Sequence, residues 1–486
     1  MPVFSKLLSP AFWWQSATLM TWLNISARVL SLLVVLPLVL RQFGPADIAL
    51  YYLFAGLISL QLMAGSGFIP TFARAVAYVL AGARLQNLRF GGETPPDSVQ
   101  AAPDIQLFMG VLATQRRIFR SLAVGTIPLM AGVGSCLLIR PISVSADPHH
   151  SWWAWAVVVA TTPVVLLSCQ YSAILQGANR IALDQRWGAL FVVAGSVCGV
   201  LVLGTGGGLL SLVLVNQLWQ IAGFFRLRHL SSQIVGEVCG GISANQSYQP
   251  DIFRVLWPAS WRSLLGVLAS AGVTAGSGLI FAQFLASKPL AELLFGIRIM
   301  GIIGDMSRAP FYSKIPLFNS LRYQGKITEL CEVSSVSMRK AYFIFVALVL
   351  LAPVVAQFAL PLIGSRIAFP TAGFWLIFGA AALVERLGAM HIQLYSTTNH
   401  IVWHWLNGIT GLIWLGLMAL LIPRWGQNAY PISMLMAYCG CYSWWALHYS
   451  LRSLQISFWN FERAGFMPAA AAQLLGSLVL YACIKR

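Results

Sequence analysis

The chain has 486 residues, 58% of them hydrophobic and only 9% charged, with a mean hydropathy of +0.75. A soluble chain carries roughly a quarter charged residues, so this composition excludes a soluble protein and indicates an integral membrane protein with many spans. The formal net charge of +17 comes from 31 Lys+Arg against 14 Asp+Glu; no soluble basic domain carries it, which excludes nucleic acid as a partner and points to positive-inside topology and anionic lipid headgroups.

Met1 to Pro10 holds one Lys6 and leads into an apolar run of full span length, so the first helix is expected to stay as an anchor. Hydropathy and Pro/Gly breaks predict helix 1 at 15–41 and helix 2 at 46–70, with a polar-faced extension to 83. Helix 2 opens on the turn Gly44-Pro45-Ala46-Asp47, and its interior carries Gln61, Gly65, Ser66, Gly67 and Pro70. Such a softened span suits the wall of a pathway better than a lipid-facing surface. Arg84 to Gln115 reads as a hydrophilic loop containing GGETPPDSVQAAPD.

Helix 3 follows at 118–140, helix 4 at 152–178, helix 5 at 186–204 and helix 6 at 208–229. Arg226 to Pro250 is the longest polar segment of the mid-chain. Helices 7 to 12 are expected at 256–285, 289–313, 340–363, 370–393, 401–423 and 428–451. A last apolar run at 466–484 is either a thirteenth span or a tail lying on the surface. The fold class is therefore all-α and polytopic, with about 12 transmembrane helices. The division is an N-terminal six-helix lobe at 1–230, a cytoplasmic linker at 231–255, a C-terminal six-helix lobe at 256–452 and a tail at 453–486.

With the N-terminus in the cytoplasm, the turns after the odd-numbered helices face outward. They hold few basic residues: Arg41, Arg140, Lys288, Arg366 and Arg424. The opposite side collects more than three times as many, which satisfies the positive-inside rule at every turn up to helix 12. Helices 1–2 and 7–8 share a tight outer turn and similar openings, ADIALYYLFAG and PLAELLFGIRI. Both pairs end in an Arg-and-Pro cluster, as expected of an internal duplication.

Four arginines stand inside predicted spans. Arg28 (SARVLSLL) and Arg298 (FGIRIM) lie near mid-span, Arg262 about two turns into helix 7, and Arg74 near the cytoplasmic end of helix 2. A charge at mid-bilayer costs several kcal/mol unless it faces water or a partner, and arginine cannot shed its proton. Arg74 can snorkel to the interface; Arg28 and Arg298 are too deep, and each needs an acid or an anionic ligand. The candidate acids, for ion binding or gating, are Glu292, Asp305 and Glu385, the last expected to pair locally with Arg386. An excess of buried Arg over buried acid implies a cationic cavity suited to phosphate oxygens.

Other motifs are weaker. Most of the 18 Trp belong to interfacial belts; Trp257, Trp261 and Tyr395 are candidates for stacking on a ligand. The eight Cys form no CxxC pair, so no zinc site or disulfide framework is expected. Gly204-Thr205-Gly206-Gly207-Gly208 lacks the Lys-Ser/Thr of a phosphate loop. His391, His400 and His404 have irregular spacing and no Glu between them, and no Ser-His-Asp set can be assembled. Neither an enzyme nor a cofactor or metal is indicated.

Three stretches carry a resemblance: FGPADIALYYL with GSGFIPTFARAVA in Phe43–Tyr78, YSAILQGANRIALDQRWGAL at Tyr171–Leu190, and the helix 7–8 unit ending in Arg298 and MSRAPFYSKIP. Over most of 15–452 the chain resembles the polysaccharide-export flippases of the multidrug/oligosaccharidyl-lipid/polysaccharide superfamily, the O-antigen-type lipid-linked oligosaccharide translocases. The resemblance implies two six-helix lobes around a central cavity, and alternating access in the bacterial inner membrane. It implies carriage of a polyprenyl-diphosphate-linked glycan to the outer leaflet, with a glycan polymerase and chain-length proteins as partners. Arg28, Arg262 and Arg298 are then the candidate diphosphate or acidic-sugar contacts, and Arg74 a recruiter at the cytoplasmic mouth. The rival is a cation-coupled multidrug or small-solute exporter of the same fold, which the scarcity of buried acids disfavours.

Overall fold

The computed structural model describes residues 17–80, 82, 84–85, 104–240, 248–312, 314–323, 325–398 and 402–484. Lys6, Arg89, the Gly91 to Pro103 part of the predicted loop, His400 and Lys485-Arg486 lie outside the described residues. The chain forms two compact units, Met1–Ala275 and Gly276–Arg486.

In the first unit α1 (Ala17–Gln42) and α2 (Pro45–Ser66) meet at the predicted Gly-Pro turn, and α3 (Ile69–Leu80) follows after a bend at Gly67–Phe68. Next come α4 (Ile105–Leu129), a π-helical turn (Met130–Gly134) and α5 (Ser135–Ser143). Then follow α6 (Pro148–Gly177), α7 (Ile181–Gly204), α8 (Leu209–Cys239) and α9 (Pro250–Phe284), whose C-terminal end begins the second unit. α6 is the central helix, packed against α2, α3, α4 and α8. α1 runs along α7 in the same direction, with Asn24 bonded to Gln185, Ser31 to Ser196 and Gln42 to the Leu203 carbonyl.

The second unit continues with α10 (Ser287–Tyr312), α11 (Ile315–Tyr323), α12 (Ile327–Leu362), α13 (Ala372–Ser396) and α14 (Trp403–Trp425). It ends with α15 (Ala429–Ala437), a π-helical turn (Tyr438–Tyr442), α16 (Ser443–Leu454), α17 (Phe458–Glu462) and α18 (Phe466–Ile484). α13 packs against α12, α15, α16 and α18. It is the most enclosed of the candidate spans, 61% buried, and Arg386 and His391 on it are buried in protein.

Nine stretches of described helix are long and apolar enough to cross a bilayer. One of them runs from His404 to Leu454 and holds both α14 and α15–α16. Counted apart, and with α9 and α10, these make an all-α, multi-pass fold of about 12 helices.

The helices outrun their predicted limits on the side expected to be cytoplasmic. α4 begins at Ile105 inside the predicted 84–115 loop, capped by the Asp104 carboxylate, which accepts from the Leu107 amide at 3.0 Å. α8 runs on to Cys239, where Gly240 closes it at φ 56° in the left-handed region that glycine enters freely. α9 and α12 begin at Pro250 and Ile327 rather than 256 and 340. In the first unit the extensions of α4, α8 and α9 meet in a core of their own. Phe72 and Val76 of α3, Phe108 and Val111 of α4, Ile174 of α6, Ile234 of α8 and Ile252 of α9 are all buried there. Lipid does not solvate this layer, so its apolar side chains are held by contact with one another.

Close approach between backbones explains two glycines of this layer. A Cβ on Gly177 would lie 2.6 Å from the Ala73 carbonyl oxygen, and one on Gly67 would lie 2.8 Å from the Leu264 Cα. The bend after α2 therefore sits where α9 crosses it, and α3 crosses the end of α6 at backbone distance.

Candidate functional site

Gln61 inside α2 is a fastener. It donates to the Thr162 hydroxyl at 2.8 Å, and Thr161 donates to Gln217 at 2.8 Å. The Thr pair of α6 thus ties α2 on one side and α8 on the other, with each buried amide given a partner. At the N-terminal end of α2, the Ala146 amide donates to Asp47 at 3.2 Å and joins its first turn to the α5–α6 turn. The Asp147 carboxylate caps α6 by accepting from the His150 amide at 3.0 Å and also pairs with the His150 ring. Both contacts hold its carboxyl below the ordinary carboxylate value.

Arg28 falls near the middle of the 26 residues of α1 and is exposed. Its acidic neighbour is Asp184 of α7, whose carboxylate accepts from Ser172 at 3.0 Å and lies 3.6 Å from Arg226 of α8. Arg226 lies over the Phe191 ring at 4.8 Å, and its Nε is buried with no hydrogen-bond partner among the described residues. Arg226 is thus the paired guanidinium of this carboxylate, and the charge of Arg28 acts on it from farther off. Of the four arginines expected to contact a ligand, Arg28 is the one with the Asp184–Arg226 pair as its neighbour. Asp184 stands in the Tyr171–Leu190 stretch, so its position was open to view; its partners, on separate helices, were not.

Arg74 and Arg262 belong to the same unit. Arg74 is exposed on α3. Arg262 is exposed on α9, with its guanidinium 5.9 Å from the centre of the Trp261 ring. Trp257 stacks between Phe253, at 5.2 Å, and Phe68, at 6.5 Å.

In the second unit Arg298 lies near the middle of the 26 residues of α10, exposed and with no hydrogen-bond or ion-pair partner among the described residues. Glu292, one and a half turns away, accepts from the Ala368 amide at 3.4 Å instead. Asp305 pairs with Arg308 at 2.5 Å on the exposed side of α10. Glu385 does not form the expected ion pair with Arg386. The Arg386 guanidinium turns inward, donates to the Gly304 carbonyl at 2.7 Å and covers the Phe345 ring at 5.2 Å. Half-buried Glu385 is left among Tyr312, Tyr438 and Tyr442. Two of these tyrosines bound the π-helical turn, a backbone irregularity that often marks a functional position. Tyr395 packs on Tyr449 at 5.2 Å.

A second polar centre of this unit was missed altogether. His391 of α13, Glu462 of α17 and Tyr342 of α12 are each fully buried. The His391 Nε2 lies 2.9 Å from a Glu462 oxygen, which also accepts from the Tyr342 hydroxyl at 3.2 Å. Nearby, Arg322 of α11 donates to the Thr397 hydroxyl and to the carbonyl and hydroxyl of Ser453 at 3.0–3.2 Å, joining the ends of α13 and α16. No group of three or more metal-ligating side chains occurs among the described residues.

No known family profile and no curated relative matches the chain. Solved structures do. The chain is similar to a multidrug resistance MATE family transporter of the MOP superfamily in its inward-facing conformation, with a TM-score of 0.61 at 14% identity over 90% of this chain and 99% of that one. It is similar to the lipid II flippase MurJ, with a TM-score of 0.63 at 11% identity over 96% and 100% of the two chains. The eukaryotic MATE transporter AtDTX14 gives 0.58 at 11% identity over 95% and 97%. At such identities the likeness is one of fold: these helices follow the architecture of MATE transporters and MurJ along nearly their whole length.

Proposed function

We propose that this protein is a flippase for a polyprenyl-diphosphate-linked oligosaccharide, moving it from the cytoplasmic to the outer leaflet of a bacterial inner membrane by alternating access. The reading is supported by arginines that stand at mid-helix without an acid bonded to them. Arg28 and Arg298 each sit near the middle of a helix, exposed and outside any direct ion pair among the described residues. A guanidinium at that depth is tolerated where it meets water or an anion, and its fork matches two phosphate oxygens at once. The fully or largely buried acids, Asp184 and Glu462, are already engaged by their neighbours. An interior of this kind favours an anionic cargo over the cationic drugs of the rival exporter reading. The likeness to a lipid II flippase supports the same choice.

Arg28, Arg262 and Arg298 are the proposed contacts to diphosphate or acidic sugar, with Arg74 at the cytoplasmic mouth. Glu292 and Asp305 each have a local partner, so Glu385 is the acid best placed to bind a coupling cation. The N-terminus is assigned to the cytoplasm, and a glycan polymerase and chain-length proteins are the partners this role requires. The test is to express Arg28→Ala and Arg298→Ala in the deletion strain. Each is expected to abolish surface glycan and to accumulate the lipid-linked oligosaccharide on the cytoplasmic leaflet, with the protein still present in the membrane. Arg→Lys variants should restore the charge but not the fork, and so recover export only in part. Wild-type glycan in both Ala variants would remove the basis of the assignment.

A further inference from the structure

α4 carries three arginines that the transport reading does not use. Arg116, Arg117 and Arg120 are exposed, and none is bonded to an acid among the described residues. The acids of the surrounding layer are engaged elsewhere. Asp104 caps the start of α4, Glu237 pairs with Arg180, and Asp251 with Arg254. The Arg117 guanidinium lies over the Tyr248 ring, 4.2 Å from its centre. A guanidinium held by a ring keeps its N–H fork for another acceptor.

The helix itself sets the height of these charges. At 3.6 residues per turn, Arg116, Arg120 and Val124 fall in one line along α4, and Arg117, Ser121 and Gly125 in the next. All six are exposed. After Arg120 the exposed face turns apolar: Val124, Leu129, Val133 and Ile139 are each more than half exposed. Arg140, also exposed, ends that stretch. From Arg120 to Arg140 the chain covers about 30 Å of helix at 1.5 Å per residue, the thickness of the hydrocarbon core of a bilayer. Arg120 therefore stands at headgroup height, with Arg116 and Arg117 about one turn beyond it. Gly125 and Gly132 have nothing within 4 Å of where a Cβ would stand, so the face next to the arginines is open to an acyl chain.

We propose that Arg116, Arg117 and Arg120 form a binding site for an anionic phospholipid of the adjacent leaflet. Its phosphate lies in the guanidinium forks, which match two phosphate oxygens at once, and an acyl chain runs over Gly125. The apolar face that continues from the arginines selects a lipid over a free phosphate. The site holds whichever cargo the protein carries.

The test uses the purified full-length protein in detergent. Native mass spectrometry counts bound lipid during titration with phosphatidylglycerol or with phosphatidylcholine of the same chains. Wild type should take up phosphatidylglycerol in preference. Arg117→Gln combined with Arg120→Gln should weaken that binding about twenty-five-fold, at about fivefold per arginine. Removing two exposed charges from α12, with Arg339→Gln and Lys340→Gln, should leave it unchanged. If the α4 variant does not fold, Gly125→Leu replaces it: every charge stays, and the added side chain should still weaken the lipid. Glycerol phosphate, a headgroup without chains, should not compete. Equal losses in the α4 and α12 variants would make the binding a diffuse charge effect, and competition by glycerol phosphate would make it a site for phosphate alone. Either result overturns the proposal, as does equal binding of the two lipids or wild-type affinity in the folded α4 variants.

Discussion

At the scale of single residues, what separates the charged groups is whether a partner was built for them. Asp184 and Arg226 are each little more than one-tenth exposed at the side chain, whereas Asp305 and Arg308 are 67% and 44% exposed. Removing one member of a buried pair leaves the other charged and desolvated, at a cost of about 3 kcal/mol or more. An exposed pair contributes under about 1 kcal/mol. Asp184→Asn should therefore lower the thermal midpoint of the purified protein clearly, and Asp305→Asn should leave it nearly unchanged. Equal shifts would mean that Asp184 is solvated in the folded protein. Arg28 and Arg298 could be found from sequence because a charge inside an apolar run is visible on one line of text. The His391–Glu462 pair could not, since its members are 71 residues apart and neither breaks a local pattern.

At the scale of helices, hydropathy marks the part of each helix that lipid touches and little more. It located the long apolar helices among the described residues but stopped short where α4, α8 and α9 continue into a layer packed against protein. There the burying face is made of mixed sequence: Leu107 to Gln115 is buried along its whole length, yet Arg116, Arg117 and Arg120 follow it directly. The bend after α2 was likewise hidden, because Gly67 is shaped by Leu264, nearly two hundred residues away in the chain. Gly177 tests this layer. Its missing Cβ would lie 2.6 Å from both the Ala73 oxygen and the Val76 Cβ, so Gly177→Ala must push α3 and α6 apart, at a cost of about 1–3 kcal/mol. Gly125 of α4 has nothing within 4 Å of the same position, and Ala is the better helix former by up to about 1 kcal/mol. Gly125→Ala is thus expected to be neutral or stabilising in the same melting assay. If the two substitutions behave alike, the helix crossing is looser than the coordinates place it.

At the scale of the whole molecule, the chain keeps the architecture of MATE transporters and MurJ at 11–14% identity. Fold of this kind is specified by span length, turn placement and small residues at crossings, which many sequences satisfy. Cargo depends on which exposed side chains meet water. Arg298 of α10 and Leu420 of α14 are both exposed, Leu420 at 74%, and the two solvents they meet differ in chemistry. A thiol reacts as its thiolate, which forms in water and not in hydrocarbon. In a background with the native cysteines replaced, Arg298→Cys should react with a membrane-impermeant maleimide, while Leu420→Cys should react at least about tenfold more slowly, following the cost of a charge in lipid. If the central helices alternate between two openings, Arg298→Cys will be labelled from the cytoplasmic side in one population of vesicles and from the outer side in the other. Slow labelling of Arg298→Cys from both sides would place this arginine against lipid and remove it from the proposed pathway, whatever the fate of Arg28.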